Sequence, residues 1–443
     1  MKKKIVICLG VFASTLLNSC SDDKIINELS DDGKECPQNV FFVSENEARL
    51  MLSQFLSQSE TRNNPLTDTP VISSCYTVFL HPSTRSDSYQ EDSTAIYIFN
   101  IGEEDGYAVM SSDIRKPPIY VCTNSGSLIP NTKIGSMNEE MLLAAVERYE
   151  NQFDLTPIDG TDPRHHAGMR TYNWVDTYYN GENGMCDVFW HQNTPYNMYC
   201  FDKNGNNAPV GCGAIAVGQL MSIHEYPTVY GNYSFNWDDM KSGNTEGVGQ
   251  VARLLKELGN HNNLDITYSN EGEGSGGSFS NIPRTFVNMG YAEGGVCEDY
   301  NTNKIVNDLS NGYPVIIAGS YYRKSVKDYI LGFIPNGSHY EYSFSHGWLG
   351  HGLKKMSRKI EYIDVELDKV YKTETQEYWY VLCNFGEKIF NEQHNLNTYY
   401  LSGLFDDDQY PDISEGIPLE KEGYEGTYGH YSFNLRMVTG IRK

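Results

Sequence analysis

Basic residues are scarce in this 443-residue chain: 34 Lys and Arg stand against 58 Asp and Glu, a formal net charge of −24. Neutralising phosphates needs clustered Lys and Arg, so the composition argues against nucleic acid as a partner. Beyond the N-terminus no apolar run reaches the ~18 residues of a membrane span, and the mean hydropathy is −0.50. Metal motifs are missing as well. There is no H-E-x-x-H, and no cysteine pair has zinc-finger spacing, so neither a metal nor any other cofactor is expected. The ten cysteines are too sparse for a disulfide-stapled miniprotein. Cys186 and Cys200 could pair, although spacing does not fix connectivity. His165 and His166 sit in a polar stretch and read as solvated loop rather than ligands.

What is present begins at the first residue. Lys2, Lys3 and Lys4 precede the apolar run "IVICLGVFASTLL", which is too short to span a bilayer comfortably. The run closes on "LNSC", which resembles the lipobox of bacterial lipoproteins. That resemblance implies removal of residues 1–19 and a lipid on Cys20. The following "SDD" resembles an acidic surface-export signal, giving an expected location at the outer membrane or cell surface. Residues 20–35 then read as an acidic lipidated tether.

Two modules follow. "SENEARLMLSQFLSQ" has a serine cap, an acidic first turn and apolar residues at Ala48, Leu50, Met51 and Phe55, which predicts an amphipathic helix. "CYTVFL", "AIYIFNI" and "GYAVMSS" predict short strands, and "MNEEMLLAAVERYENQF" a second helix. This α+β module spans 36–153 and has the makings of an independent fold. Prolines, glycines and aspartates without periodicity mark 154–170 as an exposed linker, open to proteolysis. Residues 171–443 form the second module, with helices first and strands in the last hundred residues. That order, with a thiol on an early helix, is the layout a papain-like α+β fold needs.

The thiol lies in "NAPVGCGAIAVGQLMSIHEYP", where Cys212 opens a helix that Pro227 stops. A helix N-terminus and a nearby imidazolium both lower a thiol pKa. A nucleophile of this kind needs a base, a group that orients the base, and donors for the oxyanion. His346 in "FSHGWLGHGL" follows Cys212 by 134 residues, within the ~130–150 typical of papain-like enzymes. Asn384 in "VLCNFGE" is the expected orienting residue. Gln192, twenty residues before Cys212 in "FWHQNTPYN", is the expected oxyanion donor beside the Cys212 backbone N–H.

With these residues in place the chain resembles the streptopain family of papain-like cysteine peptidases. "FFVSENEARLMLSQFL" and "AIYIFNIGEEDGYAVMSSDIRKPPIY" are similar to the family's inhibitory propeptide domain. "WHQNTPYN", "GCGAIAVGQLMSIHEYP", "GSGGSFSNIPRTFVNMGY", "LSNGYPVIIAGS", "SHGWLGHG" and "CNFG" follow in family order. The resemblance implies Cys212 as nucleophile, His346 as base, Gln192 as oxyanion donor and Asn384 as the residue orienting the histidine. It implies protein or peptide substrates, and a zymogen silenced by its own propeptide until the linker is cut. Four positions depart from the family pattern. Gly213 replaces a valine, His351 an aspartate, and Phe385 and Glu387 two tryptophans. Phe385 can still shield an Asn384–His346 contact, whereas Glu387 puts a carboxylate where an indole would form a site wall. An insertion, 321–344, precedes His346. The competing readings are a catalytically impaired surface lipoprotein that binds proteins or inhibits a protease, and a transglutaminase or deamidase using the same Cys–His pair.

Overall fold

The computed structural model describes residues 42–57, 71–79, 95–103, 105–123, 126–129, 146, 167–181, 183–272, 274–330, 334–364, 369–386, 398–404 and 427–443. The signal segment with Cys20, the tether, Glu387 and most of the helix expected over 137–153 lie outside these residues. Within that helix, Val146 is described as helical and buried.

The first module opens with α1 (Glu45–Ser57). Its start is a reciprocal cap: Glu47 N–H donates to Ser44 Oγ (3.3 Å), and Ser44 N–H donates to Glu47 Oε2 (3.0 Å). Ala48, Leu52 and Phe55 form the buried face, at the i, i+4, i+7 spacing of a helix. Leu50 was expected on that face and is instead 64% exposed, because two residues on from Ala48 is the far side of the helix. Strands β1 (Ile72–Phe79), β2 (Ala95–Ile101), β3 (Tyr107–Ser111) and β4 (Ile119–Cys122) follow. Every residue of β2 is buried, as in a strand covered on both faces.

The second module begins with β5 (Ala167–Thr171) and β6 (Val175–Tyr179). The expected linker therefore ends early: its last residues pair as β5 with a later strand, and only 154–166 lie outside the described residues. The helical half contains α2 (Cys212–His224), a small hairpin of β7 (Val229–Tyr230) and β8 (Tyr233–Ser234), α3 (Trp237–Ser242), α4 (Thr245–Leu258) and α5 (Ile282–Asn288). Next come β9 (Glu293–Asp299) and α6 (Thr302–Ser310). The strand-rich half is β10 (Val315–Ile330), β11 (Ile334–Asp364), β12 (Lys369–Asn384), β13 (Thr398–Leu401) and β14 (Thr427–Arg442). This is the papain-like α+β layout expected from the chain order. The 321–344 insertion lengthens the β10–β11 hairpin, whose ladder runs out to Ile330 opposite Ile334.

One sheet unites the two modules. Its strand order is β1-β2-β3-β4-β13-β12-β11-β10-β14-β9, with β5 and β6 also pairing β11. The junction is β4 against β13, where Val121 faces Tyr400 and Cys122 faces Tyr399. The first module's core does not stop at this seam: Leu52 and Phe55 share a cluster with Trp174, Met356, Tyr380, Leu401 and Leu404. Beside them Lys354, fully buried, pairs with Asp176 at 2.7 Å. Its ammonium also lies 3.1 Å from the Phe55 ring centroid and bonds Tyr178 Oη at 2.8 Å. A charge buried this deeply persists only when it is paired and hydrogen-bonded, and residues from both modules supply the cage.

A second core joins α2 to α4 and to the sheet through Val217, Leu220, Met221, Leu255, Ile316 and Leu349. It presses the start of α2 against β11, the strand that carries His346. Cys186 and Cys200 are both buried free thiols.

Candidate active site

The nucleophile candidate is placed by backbone geometry. Gly211 has φ +98° and ψ 129°, and a Cβ there would meet Ile266 Cδ1 at 3.2 Å, so glycine is required before the helix. Cys212 is the first residue of α2, half-buried, with its thiol at the positive end of a thirteen-residue helix.

Three further groups act on the sulfur. Burial pushes the Cys212 thiol up, but the His346 hydrogen bond and charge pull it down, helped by the Gly347 and Gly213 backbone N–H groups. The balance lies below the ordinary thiol value. Gly347 N–H donates to Sγ at 3.3 Å. At the other buried thiols the burial effect prevails: Cys75 and Cys122 are pushed up to about 12 and Cys186 to about 11, while Cys200 and Cys383 are also raised. Cys212 is thus the thiol poised to ionise.

The partner ring is held on its other side. His346 Nε2 lies 2.9 Å from the carbonyl oxygen of Phe385. A carbonyl can only accept, so Nε2 carries a hydrogen and Nδ1 is left for the thiol. Aromatic rings fix the imidazole plane. Phe385 stacks on His346 with 9° between planes and centroids 6.0 Å apart, and Trp348 stacks on both rings.

Here the structure corrects the expected role of Asn384. Its side chain is fully buried and engaged elsewhere. Oδ1 accepts from Gln219 Nε2 and from Gly386 N–H, both at 3.0 Å, while Nδ2 donates to the Val188 carbonyl at 3.2 Å. The group that holds the histidine is the backbone carbonyl of the next residue, Phe385. Asn384 closes the turn that aims that carbonyl.

Gln192 lies on the segment that enters the site. Its carbonyl accepts from Val210 N–H at 2.8 Å, two residues before Cys212, and its side chain is half-exposed. The other departures from the family pattern differ in kind. A Cβ at Gly213 would meet nothing within 4 Å, so the smaller residue leaves open space beside the thiol. His351 is fully buried, and its Nδ1 accepts from Cys186 N–H at 3.1 Å, a scaffold role.

Sequence reasoning did not single out Gly347, the Phe385 carbonyl or Gln219. Backbone donors and acceptors carry no residue-type signal. Gln219 did have one: it is the only amide in an otherwise apolar stretch of α2, seven residues after Cys212. Among the described residues no group of three or more His, Cys, Asp or Glu gathers in a metal-holding arrangement.

Comparison with known proteins agrees with this layout. The Peptidase C10 family matches residues 190–352, and the Spi protease inhibitor family matches residues 41–149. The thiol protease/hemagglutinin PrtT of Porphyromonas gingivalis is 24% identical over 214 residues, which is 46% of this chain. The chain spans only 24% of that relative's length. Among solved structures, a fragment of Prevotella intermedia prointerpain A aligns with TM-score 0.46 and 15% identity over 80% of this chain and 98% of its own. Active Prevotella intermedia interpain A aligns with TM-score 0.34 and 19% identity over 59% of this chain and 94% of its own. With its thiol–imidazole pair inside the C10 match and the first module inside the Spi match, the chain carries a Peptidase C10 (streptopain family) domain over residues 190–352, preceded by a Spi protease inhibitor domain over residues 41–149.

Proposed function

We propose that the chain is a cysteine endopeptidase made as a zymogen, with Cys212 and His346 performing the chemistry. The observation that carries this reading is the Cys212–His346 hydrogen bond, which draws the thiol below its ordinary value despite burial. The thiolate adds to the carbonyl carbon of a peptide bond. The oxyanion is received by the Gln192 side chain and the Cys212 backbone N–H at the helix terminus. The C–N bond then breaks, and His346 gives its Nδ1 proton to the departing amine. Water next attacks the thioester carbon, His346 takes up a water proton, and the acid product leaves as the thiolate is restored. The thiol must be reduced, because the thiolate is the nucleophile and a sulfur oxidised to sulfenic acid or disulfide is electrophilic instead.

The Spi-like domain acts as the intramolecular inhibitor, and cleavage between 154 and 166 starts activation. Supporting this are the Spi match over 41–149 and the prolines, glycines and aspartates, without periodicity, of the linker sequence. The test is turnover of a fluorogenic peptide by the reduced, linker-cut protein, expected in the wild type and absent in Cys212→Ala. Turnover by Cys212→Ala would assign the activity to another group. We further propose that export ends with a lipid on Cys20, at the outer membrane or cell surface. The lipobox-like "LNSC" supports this. The wild type is expected to partition into the detergent phase and Cys20→Ala into the aqueous phase; equal partitioning would refute the anchor.

A further inference from the structure

Gln219 is fully buried on α2, two helical turns beyond Cys212. Its side-chain NH2 donates to two acceptors at once: the Trp190 carbonyl at 3.1 Å and Asn384 Oδ1 at 3.0 Å. Its own oxygen, Oε1, is buried with no hydrogen-bond partner among the described residues. The amide orientation is nevertheless determined. Turned over, Oε1 would face the Trp190 carbonyl, which can only accept. Asn384 is fixed in the same way, since Gly386 N–H requires an acceptor at Oδ1. A helix interior that tolerates an unpaired buried acceptor for the sake of two donations is holding those two acceptors in place.

Both acceptors lead to the reacting groups. On one side, Asn384 and Gly386 bracket Phe385, so the turn closes around the residue whose carbonyl holds His346 Nε2. That turn lies directly on the nucleophile helix. Gly386 has φ +63°, and a Cβ there would fall 2.4 Å from Ile215 Cγ2 and 3.7 Å from Gln219 Nε2. On the other side, Trp190 stands two residues before Gln192. Its indole is locked against Trp237 with centroids 6.4 Å apart, and the Gln192 carbonyl is tied to Val210 N–H. One side chain thus joins three segments that are remote in sequence: the helix of the nucleophile, the turn behind the base and the irregular segment leading to the oxyanion donor.

We infer that Gln219 is a positioning residue of the peptidase, setting the distance and angle of His346 to Cys212 through Asn384 and Phe385, and the placement of Gln192 through Trp190. The inference rests on the cysteine peptidase reading above. It requires that removing the NH2 donors, at constant volume, loosens the imidazole more than it loosens the fold.

The test compares reduced, linker-cut wild type with Gln219→Met, which keeps the volume without donors, and Gln219→Glu, which keeps the shape but places acceptors against acceptors. Three quantities are read: the pH midpoint of iodoacetamide labelling at Cys212 by peptide mapping, kcat and KM separately on one peptide, and the thermal midpoint. Both variants are expected to label Cys212 with a midpoint displaced to higher pH. Their kcat should be lower by on the order of 10- to 100-fold, as for a misplaced catalytic group, with KM within about twofold. If Gln219→Met does not fold, Asn384→Ala leaves the helix untouched and carries the same expectation. A double variant should then be no worse than the single ones. A folded Gln219→Met or Asn384→Ala with the wild-type labelling midpoint and kcat would overturn the inference. Wild type that neither labels selectively at Cys212 nor cleaves peptide would instead overturn the parent reading.

Discussion

Burial and charge compete at Cys212. Desolvation alone would push the thiol up, as burial does at Cys122. The His346 contact, together with Gly347 N–H at 3.3 Å, reverses the sign. The thiolate is therefore present at lower pH than in a free cysteine, and nucleophilic labelling should persist as pH falls. Removing the imidazole in His346→Ala leaves desolvation as the main effect. The labelling midpoint at Cys212 should move upward, and an unchanged profile would show that the helix terminus alone does the work. The pair itself was legible in the sequence because both members have a chemical identity and a typical separation. The orienting group was not, because it is a backbone carbonyl at Phe385, and the adjacent Asn384 offered a more conspicuous amide.

Among the elements, α2 does the most. Its first residue is the candidate nucleophile, its middle carries Gln219, and its last residue is a partly buried histidine. Burial, then the charges of Lys443 and Arg442, push His224 down to about 4. In the unfolded chain a histidine takes up its proton near ~6.5. Between these values the unfolded state binds more protons, so stability rises with pH across that window and declines as pH falls from ~6.5 toward 4. His224→Gln should lack this component, giving a flatter thermal midpoint between pH 4 and 6.5 than the wild type. Identical slopes would show that His224 titrates alike in both states. The position of α2 could be read from the glycine before Cys212 and from Pro227 after it. The strand-rich last hundred residues were also legible, since "EYWYVLCNF" and "HYSFNLRMVTGIRK" carry the β-branched and aromatic residues that become β12 and β14. The end of the linker was misplaced because "AGMRT" has little strand propensity of its own. Pairing with β11 makes it β5.

For the whole molecule, the joint between the modules matters most. Sequence reading took them as independent bodies. It could not show that β4 adds to β13, or that Phe55 caps Lys354, since both contacts join residues some 280 to 300 positions apart. A shared sheet and a shared core tie the inhibitor domain to the far end of β11 and β12, the two strands that also lead to His346 and Phe385. On the proposed zymogen reading, activation disrupts this packing as well as the linker. The most direct check of the central claim is intact mass after exposing the reduced protein, before and after linker cleavage, to a thiol-reactive peptide-epoxide, with Cys212→Ala alongside. The account predicts one adduct on linker-cut wild type, much slower labelling of the uncut chain, and none on Cys212→Ala. A linker-cut, folded wild type that takes up no probe, or a Cys212→Ala variant that is labelled equally, would contradict it.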